Sequence, residues 1–300
     1  MISCDLPQIG PSSSGVAYAG YVCPDCKTPL ELLYCRTCER AYPCREGVPC
    51  LLSGDPKFAH TAAVVAAYDS IYATRSNVWE NQGRTPEFIR YFASLLERFP
   101  GDRLLEIGCG EGYLLAALGG REKFAIDLSL EAIVKARART QARFSLALSE
   151  RLPFPDEYFD VVTSVAVMEH FLDIGEALRE VRRVLKPGGC YVSLTHVELS
   201  LAERVAAKFS KYVFPRPRPI CFARLLLDKF RVSLVQQPIQ NRYTSRGATE
   251  RLAEAGFRLR DVIHHQRPDQ PPIGPNVVIC IAQKHDEGAC HACRPSAPSG

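Results

Sequence analysis

The stretch LLEIGCGEGYLLAAL, Leu104 to Leu118, decides how this chain reads. An apolar run carries an acid, Glu106, near its end. Glycines then alternate at Gly108, Gly110 and Gly112, and a helix-like pattern begins. A glycine-rich connection after a strand lets the backbone approach a ligand closely, and the start of the next helix offers free N–H groups. The dehydrogenase fingerprint GxGxxG, which holds a pyrophosphate, occupies the same kind of turn. Here the spacing is GxGxG. The carboxylate of Glu106 would repel a pyrophosphate but could pair with an ammonium group, indirectly or through water. The expected ligand carries a positive amino group and no phosphate. The alternative is that the glycines only make a tight turn.

Around this bend the chain alternates short β-rich runs with helical stretches. The runs are RLLEIG, KFAID, RFSLA, FDVVTSV, CYVSLTH, FRLRDVI and NVVICIA, and EAIVKARART and GEALREVRRVL separate some of them. Such alternation predicts parallel strands joined by helices, a doubly wound α/β sheet. At the end of the second run, in AIDLS, Asp127 lies fifteen residues beyond Gly112, with Leu128 beside it. An acid in that place can accept hydrogen bonds from both hydroxyls of a ribose, or it can cap the next helix. An amino acid joined to adenosine through a sulfonium satisfies every requirement, and that is S-adenosyl-L-methionine.

From about Leu104 to Gly189 the chain resembles class I S-adenosylmethionine-dependent methyltransferases, in particular the type-11 group. The resemblance runs through LLEIGCGEG, AIDLS, ERLPFPDEYFDVVTSVAVMEHF and RVLKPGG, in that order. It implies a Rossmann-like seven-stranded sheet whose last strand is antiparallel. It also implies cofactor contacts at Glu106, Gly108, Gly110, Gly112 and Asp127, with Leu128 adjoining. Where the family often places an acid against the adenine, this chain has Leu148, followed by Ser149 and Glu150. Adenine recognition is then expected from backbone near Ser149, or from Glu150 by a small shift of register. The run LPFPDEYFDVV also has a purely architectural reading, with prolines in a turn and Phe154 and Phe159 in the core.

Methyl transfer from a sulfonium is an in-line displacement with an activated leaving group, so alignment supplies much of the acceleration, on the order of 7 to 11 kcal/mol. A base is needed only where the acceptor must lose a proton. His170 in VMEHF and His196 in SLTHVE lie at expected strand ends near the ligand crevice. His196 is the better base candidate, His170 reads mainly as lining, and Glu198 is a weaker alternative. His264 and His265 read as surface residues. Tyr68, Tyr72 and Trp79 belong to a helical lead-in over residues 56–99 and form either a lid or ordinary packing.

Thirteen cysteines occur, six of them between Cys23 and Cys50. Within YVCPDCKTPLELLYCRTCERAYPCREGVPCLL, two CxxC turns are separated by eight residues. Two such turns can place four thiolates around a tetrahedral zinc ion, so Cys23, Cys26, Cys35 and Cys38 are the expected ligands, with Cys44 and Cys50 spare. Four thiolates leave no open position, which makes the zinc structural. The segment resembles the zinc-ribbon modules that precede some methyltransferase domains. Its roughly 30 residues bury too little core to fold alone.

The expected organisation is a flexible leader over 1–20, a zinc ribbon over 21–54, a methyltransferase domain over 55–285 and a disordered tail over 286–300 containing Cys290, His291 and Cys293. Within the domain, 197–246 is a basic helical cap with ten Lys or Arg against three acids, in a chain of net charge +4. That cap could face RNA, a phosphorylated substrate or an anionic membrane, or simply be a solvated face. A cytoplasmic location is expected, since the N-terminus lacks the pattern of a secretory signal and no apolar run has transmembrane length. A small-molecule acceptor is the favoured substrate. The alternatives are a ribosomal RNA base and a non-catalytic cofactor-binding subunit.

Overall fold

The computed structural model describes residues 20–74, 85–198, 238–264 and 277–285. Most of the basic cap, together with Trp79, His265 and the Cys290–Cys293 tail, lies outside the described residues. All seven β-rich runs are strands: β5 (Arg103–Ile107), β6 (Glu122–Asp127), β7 (Arg143–Leu146), β8 (Phe159–Val165), β9 (Leu185–His196), β10 (Phe257–His264) and β11 (Val277–Lys284). They form one Rossmann-like sheet in the order β10-β11-β9-β8-β5-β6-β7. Strand β11 pairs antiparallel with both β9 and β10, and the other pairings are parallel. The carboxyl ends of β5, β6 and β8 therefore open on one edge of the sheet, where ligands of such folds collect.

The central strands are apolar on both faces because helices cover both. On one side Leu104 and Ala125 pack with Phe88 and Phe92 of α2 (Pro86–Glu97), Leu115 of α3 (Tyr113–Ala117) and Ile133 of α4 (Leu130–Arg139). On the other, Leu105, Phe124 and Ile126 pack with Leu178 and Val181 of α5 (Ile174–Val184) and Leu252 of α6 (Ser245–Glu254). Strict alternation along each strand sends successive side chains to opposite cores. Helix α2 starts where Thr85 accepts the Phe88 N–H and Pro86 occupies the first turn, which needs no donor there. In LPFPDEYF the architectural reading holds: Phe154 and Phe159 are fully buried with ring centroids 5.0 Å apart, edge to face.

The cysteine segment carries four two-residue strands, β1 (Tyr34–Cys35), β2 (Arg40–Ala41), β3 (Cys44–Arg45) and β4 (Val48–Pro49), paired as two ribbons. It does not stand apart from the sheet. Leu51 donates its N–H to the Leu146 carbonyl at 2.8 Å, and Cys50 bridges Leu146 in parallel register. Tyr21, Cys23, Cys35, Tyr42 and Leu51 share the α5-side core with Phe124 and Phe154. The segment thereby covers β7, which would otherwise be an open edge.

Candidate functional site

The glycine bend is built around Asp127. Gly108 and Cys109 donate their N–H groups to the Ile126 carbonyl, which folds the bend back over the end of β6. Asp127 Oδ2 accepts from the Gly110 N–H at 2.8 Å and Oδ1 from the Ser129 N–H at 2.9 Å. Burial pushes the Asp127 carboxyl above its usual range, and those two N–H groups partly oppose the effect. Asp127 is not the helix cap. Ser129 fills that role, accepting from Ala132 N–H and donating to Asp69 of α1 (Thr61–Thr74) at 2.7 Å.

All three glycines of the bend sit at positive φ with no room for a Cβ, Gly112 against Ala136 and the other two against the cleft walls. Gly108 has φ +68°, and a Cβ there would lie 2.4 Å from Val167 Cγ2. Gly110 has φ +51°, and its Cβ would lie 3.0 Å from the Tyr72 hydroxyl across the bend. Ala166, at the end of β8, also adopts a positive φ of 54°, a conformation costing a non-glycine residue about 1–2 kcal/mol. Such strain clusters where a chain shapes a site.

A cleft opens over this bend, lined by Gly108, Asp127, Leu128, Ser149, Ala166, Val167, His170 and Phe171 from the sheet edge and by Tyr68 and Tyr72 from α1. Both tyrosines are nearly buried, so they pack the helix and roof the cleft at once. The Tyr68 hydroxyl is buried and has no hydrogen-bond partner among the described residues. A buried hydroxyl without a partner costs about 1–3 kcal/mol, which a ligand acceptor in the cleft would relieve. A second cavity adjoins the same bend, lined by Glu106, Cys109, Glu111, Tyr113 and Val165 with Ile89 and Arg90 of α2. The residues alternate between the two: Ile107, Gly108 and Ala166 face the first, Glu106, Cys109 and Val165 the second.

The expected site residues divide accordingly. Gly108, Asp127, Leu128, Ser149 and His170 meet in the first cleft, and Glu106 lines the second cavity. Gly112 packs against Ala136 of α4. Glu150 lies outside the lining of both cavities. Its carboxylate is buried and accepts from Leu172 N–H at 2.7 Å, Asp173 N–H at 3.2 Å and the Ser149 hydroxyl, while burial holds its carboxyl above the usual range. It pins the loop before α5, leaving Ser149 as the member of the pair that lines the cleft.

His170 hydrogen-bonds through Nδ1 to the Ile239 carbonyl at 2.5 Å. His196 stands on β9 outside the cleft lining, with Nδ1 2.5 Å from Oε1 of Glu169. Glu169 escaped the sequence reading although it sits beside His170 in VMEHF. Its partner is 27 residues away, beyond the reach of any local pattern.

The sulfur atoms of Cys23, Cys26, Cys35 and Cys38 all lie within 4.8 Å of one another, with Cys26–Cys35 at 3.5 Å and Cys23–Cys38 at 3.9 Å. Tetrahedral Zn–S bonds of about 2.3 Å place sulfurs ~3.8 Å apart, so the four fit zinc. The Thr28 hydroxyl, above all, lowers the Cys26 thiol to about 6, while burial raises Cys35 and the neighbouring Cys26 sulfur raises Cys38, as sulfurs crowded around one point compete for charge. Cys44 and Cys50 are outside the cluster.

Residues 105–193 match the family model described as a methyltransferase domain. The chain is 35% identical over 102 residues to an uncharacterized methyltransferase of Bacillus subtilis, covering 31% of this chain and 40% of that one. It is 32% identical over 140 residues to a ubiquinone biosynthesis O-methyltransferase of Alkalilimnicola ehrlichii, covering 42% and 56% respectively. The chain thus spans between 40% and 56% of these two curated relatives' length. A chain of the solved complex between the Haloferax volcanii Trm112 methyltransferase activator and a methyltransferase shares the fold, with TM-score 0.52 at 19% identity over 74% of this chain and 98% of that one. Among the described residues, no helix is long and apolar enough to cross a membrane.

Proposed function

We propose that this chain, whose residues 105–193 match the methyltransferase-domain model, is an S-adenosyl-L-methionine-dependent methyltransferase acting on a small-molecule acceptor. The observation that carries the reading is Asp127, clamped by the Gly110 and Ser129 N–H groups at the mouth of a cleft roofed by Tyr68 and Tyr72. Each Asp127 oxygen accepts one backbone N–H and retains a lone pair, so the residue can still accept from two ribose hydroxyls. Among the described residues the cleft lining holds neither Lys nor Arg, which suits an uncharged nucleoside. In this reading Ser149 and Phe171 border the adenine, and Glu106 supplies the negative charge for the amino-acid end. Bound S-adenosylmethionine supplies a methyl group on a positively charged sulfur. The protein's part is to hold and desolvate it beside the acceptor.

Two features support the small-molecule choice: the largely apolar lining of both cavities, and the small-molecule pathway named for the Alkalilimnicola relative. The four-cysteine cluster holds one structural zinc in the same proposal, its closed ligand set leaving no place for a reacting water. Calorimetry should show S-adenosylhomocysteine binding and no binding of NAD. Methyl-labelled S-adenosylmethionine should then mark low-molecular-weight material in a fractionated cell extract. Capture of NAD in place of S-adenosylhomocysteine overturns the cofactor, and label confined to RNA overturns the acceptor class.

A further inference from the structure

Resting on that reading, we propose that Glu169 is a positioning residue that fixes His196 as the general base, and that the atom methylated is the oxygen of a weakly acidic hydroxyl. Glu169 lies in the 3-10 turn Met168–His170 after β8 and is 3% exposed. Its Oε1 meets His196 Nδ1 at 2.5 Å, and its buried Oε2 has no hydrogen-bond partner among the described residues. Around it stand the hydroxyls of Tyr68 on α1, Tyr191 on β9 and Tyr243 in the segment before α6, each held neutral because burial raises its ionisation. His196 is the one ion-pair partner of this carboxylate among the described residues. Burying a carboxylate with so little compensation is costly. That cost is understandable if the acid has a task.

The task follows from the hydrogen bond. A carboxylate can only accept, so the proton of the neutral imidazole sits on Nδ1 and the lone pair on Nε2. The His196 side chain is 44% exposed, which leaves part of the imidazole within reach of an incoming molecule. Its place also suits an in-line displacement. The acceptor must approach the methyl carbon from the side opposite sulfur, outside the nucleoside cleft, so the base belongs at the rim. Glu169 is the immediate neighbour of His170, which lines that cleft, and the Ala166 N–H ties the lining to β9 through the Leu194 carbonyl.

His196 Nε2 takes the acceptor's O–H proton while the freed oxygen pair bonds to the methyl carbon. The carbon–sulfur bond breaks with its pair remaining on sulfur. A methyl ether and neutral S-adenosylhomocysteine result, and the imidazolium passes its proton to water. A carboxylate acceptor is already ionised and would need no such base, so among oxygen acceptors the proposal takes a phenol-like or enol-like hydroxyl.

The test uses the full chain, methyl-labelled S-adenosylmethionine and a low-molecular-weight cell extract. The expected product releases its label as methyl iodide in hot hydriodic acid and not as methanol in mild alkali. His196→Gln, at a half-exposed position, should lower kcat about 100-fold or more, and Glu169→Gln about 10-fold or more, with the KM for S-adenosylmethionine and the affinity for S-adenosylhomocysteine unchanged. Both deficits should narrow as pH rises toward ionisation of the hydroxyl itself. Nitrogen NMR should find His196 protonated on Nδ1 in the wild type and in mixed tautomers in Glu169→Gln. A methyl ester, thioether, N-methyl or C-methyl product overturns the proposal. So does an Nε2-protonated His196, a wild-type rate in His196→Gln, or no labelled product from a protein that binds S-adenosylhomocysteine. Failure of the wild type to bind that nucleoside would instead sink the cofactor reading.

Discussion

Leu51 and Leu146 are joined by a 2.8 Å backbone hydrogen bond that adds the end of the cysteine segment to the sheet as an extra edge. Further ties run beside it. Tyr21 donates its hydroxyl to the Phe144 carbonyl, Val22 its N–H to the Pro153 carbonyl, and Lys27 pairs with Glu180 of α5 at 2.7 Å. Residues Ala147 and Ser149, just beyond Leu146, line the cleft. The cysteine segment and the cleft wall are therefore neighbours along one strand.

Replacing Cys35 and Cys38 by Ser should remove about one zinc per chain, measured by metal analysis. Loss of the ties to β7 should lower the melting temperature by about 5–10 °C and weaken S-adenosylhomocysteine binding, since the wall at Ala147 and Ser149 loses its backing. An unchanged melting curve in the metal-free variant would show that the segment is independent of the sheet.

Gly108→Ala should be destabilising by about 2–4 kcal/mol, combining a left-handed backbone with a Cβ forced against Val167. Gly120, also at positive φ but with no atom within 4 Å of where a Cβ would sit, serves as the control. Gly120→Ala should cost about 1–2 kcal/mol and leave cofactor binding intact. Denaturant unfolding of both variants measures the difference.

Asp127 carries the clearest pH dependence. Its carboxyl is raised by burial, so the folded protein binds that proton more readily than the unfolded chain. Its contribution to stability is fully present below the unfolded value and is lost as pH rises through the folded value. Affinity for S-adenosylhomocysteine should run the opposite way, falling on acidification at a pH above that of an ordinary Asp, about 3.9. Asp127→Asn should weaken binding roughly 10- to 100-fold near neutrality and flatten the acidic fall. A calorimetric titration against pH reads both.

Tyr68→Phe separates ligand contact from packing. With no partner for the hydroxyl among the described residues, the apo protein should be as stable or more stable by about 1 kcal/mol. S-adenosylhomocysteine or acceptor affinity should fall several-fold. Greater apo stability with unaltered affinity for both would leave the hydroxyl without a role.

Glu150→Ala should unfold more easily by about 1–3 kcal/mol, because the Leu172 and Asp173 N–H groups lose their acceptor. Ser149→Ala should be nearly neutral for stability. Competition between adenosine- and inosine-based analogues, compared across the two variants, reports which residue reads the base.

The seven strands, the glycine bend with Asp127 and the four-cysteine set were legible in the sequence by itself, because each is written in contiguous residues. Alternation marks the strands, short spacing marks the bend, and paired CxxC turns mark the sulfur cluster. Only the tertiary structure decided that Glu150 faces the loop before α5, that the cysteine segment covers β7, and that Glu169, in the turn after β8, reaches His196 at the end of β9. Those outcomes depend on the register of strands brought together across long separations. A carboxylate in a sequence does not reveal which distant N–H it will find, and burial then makes that choice costly to change.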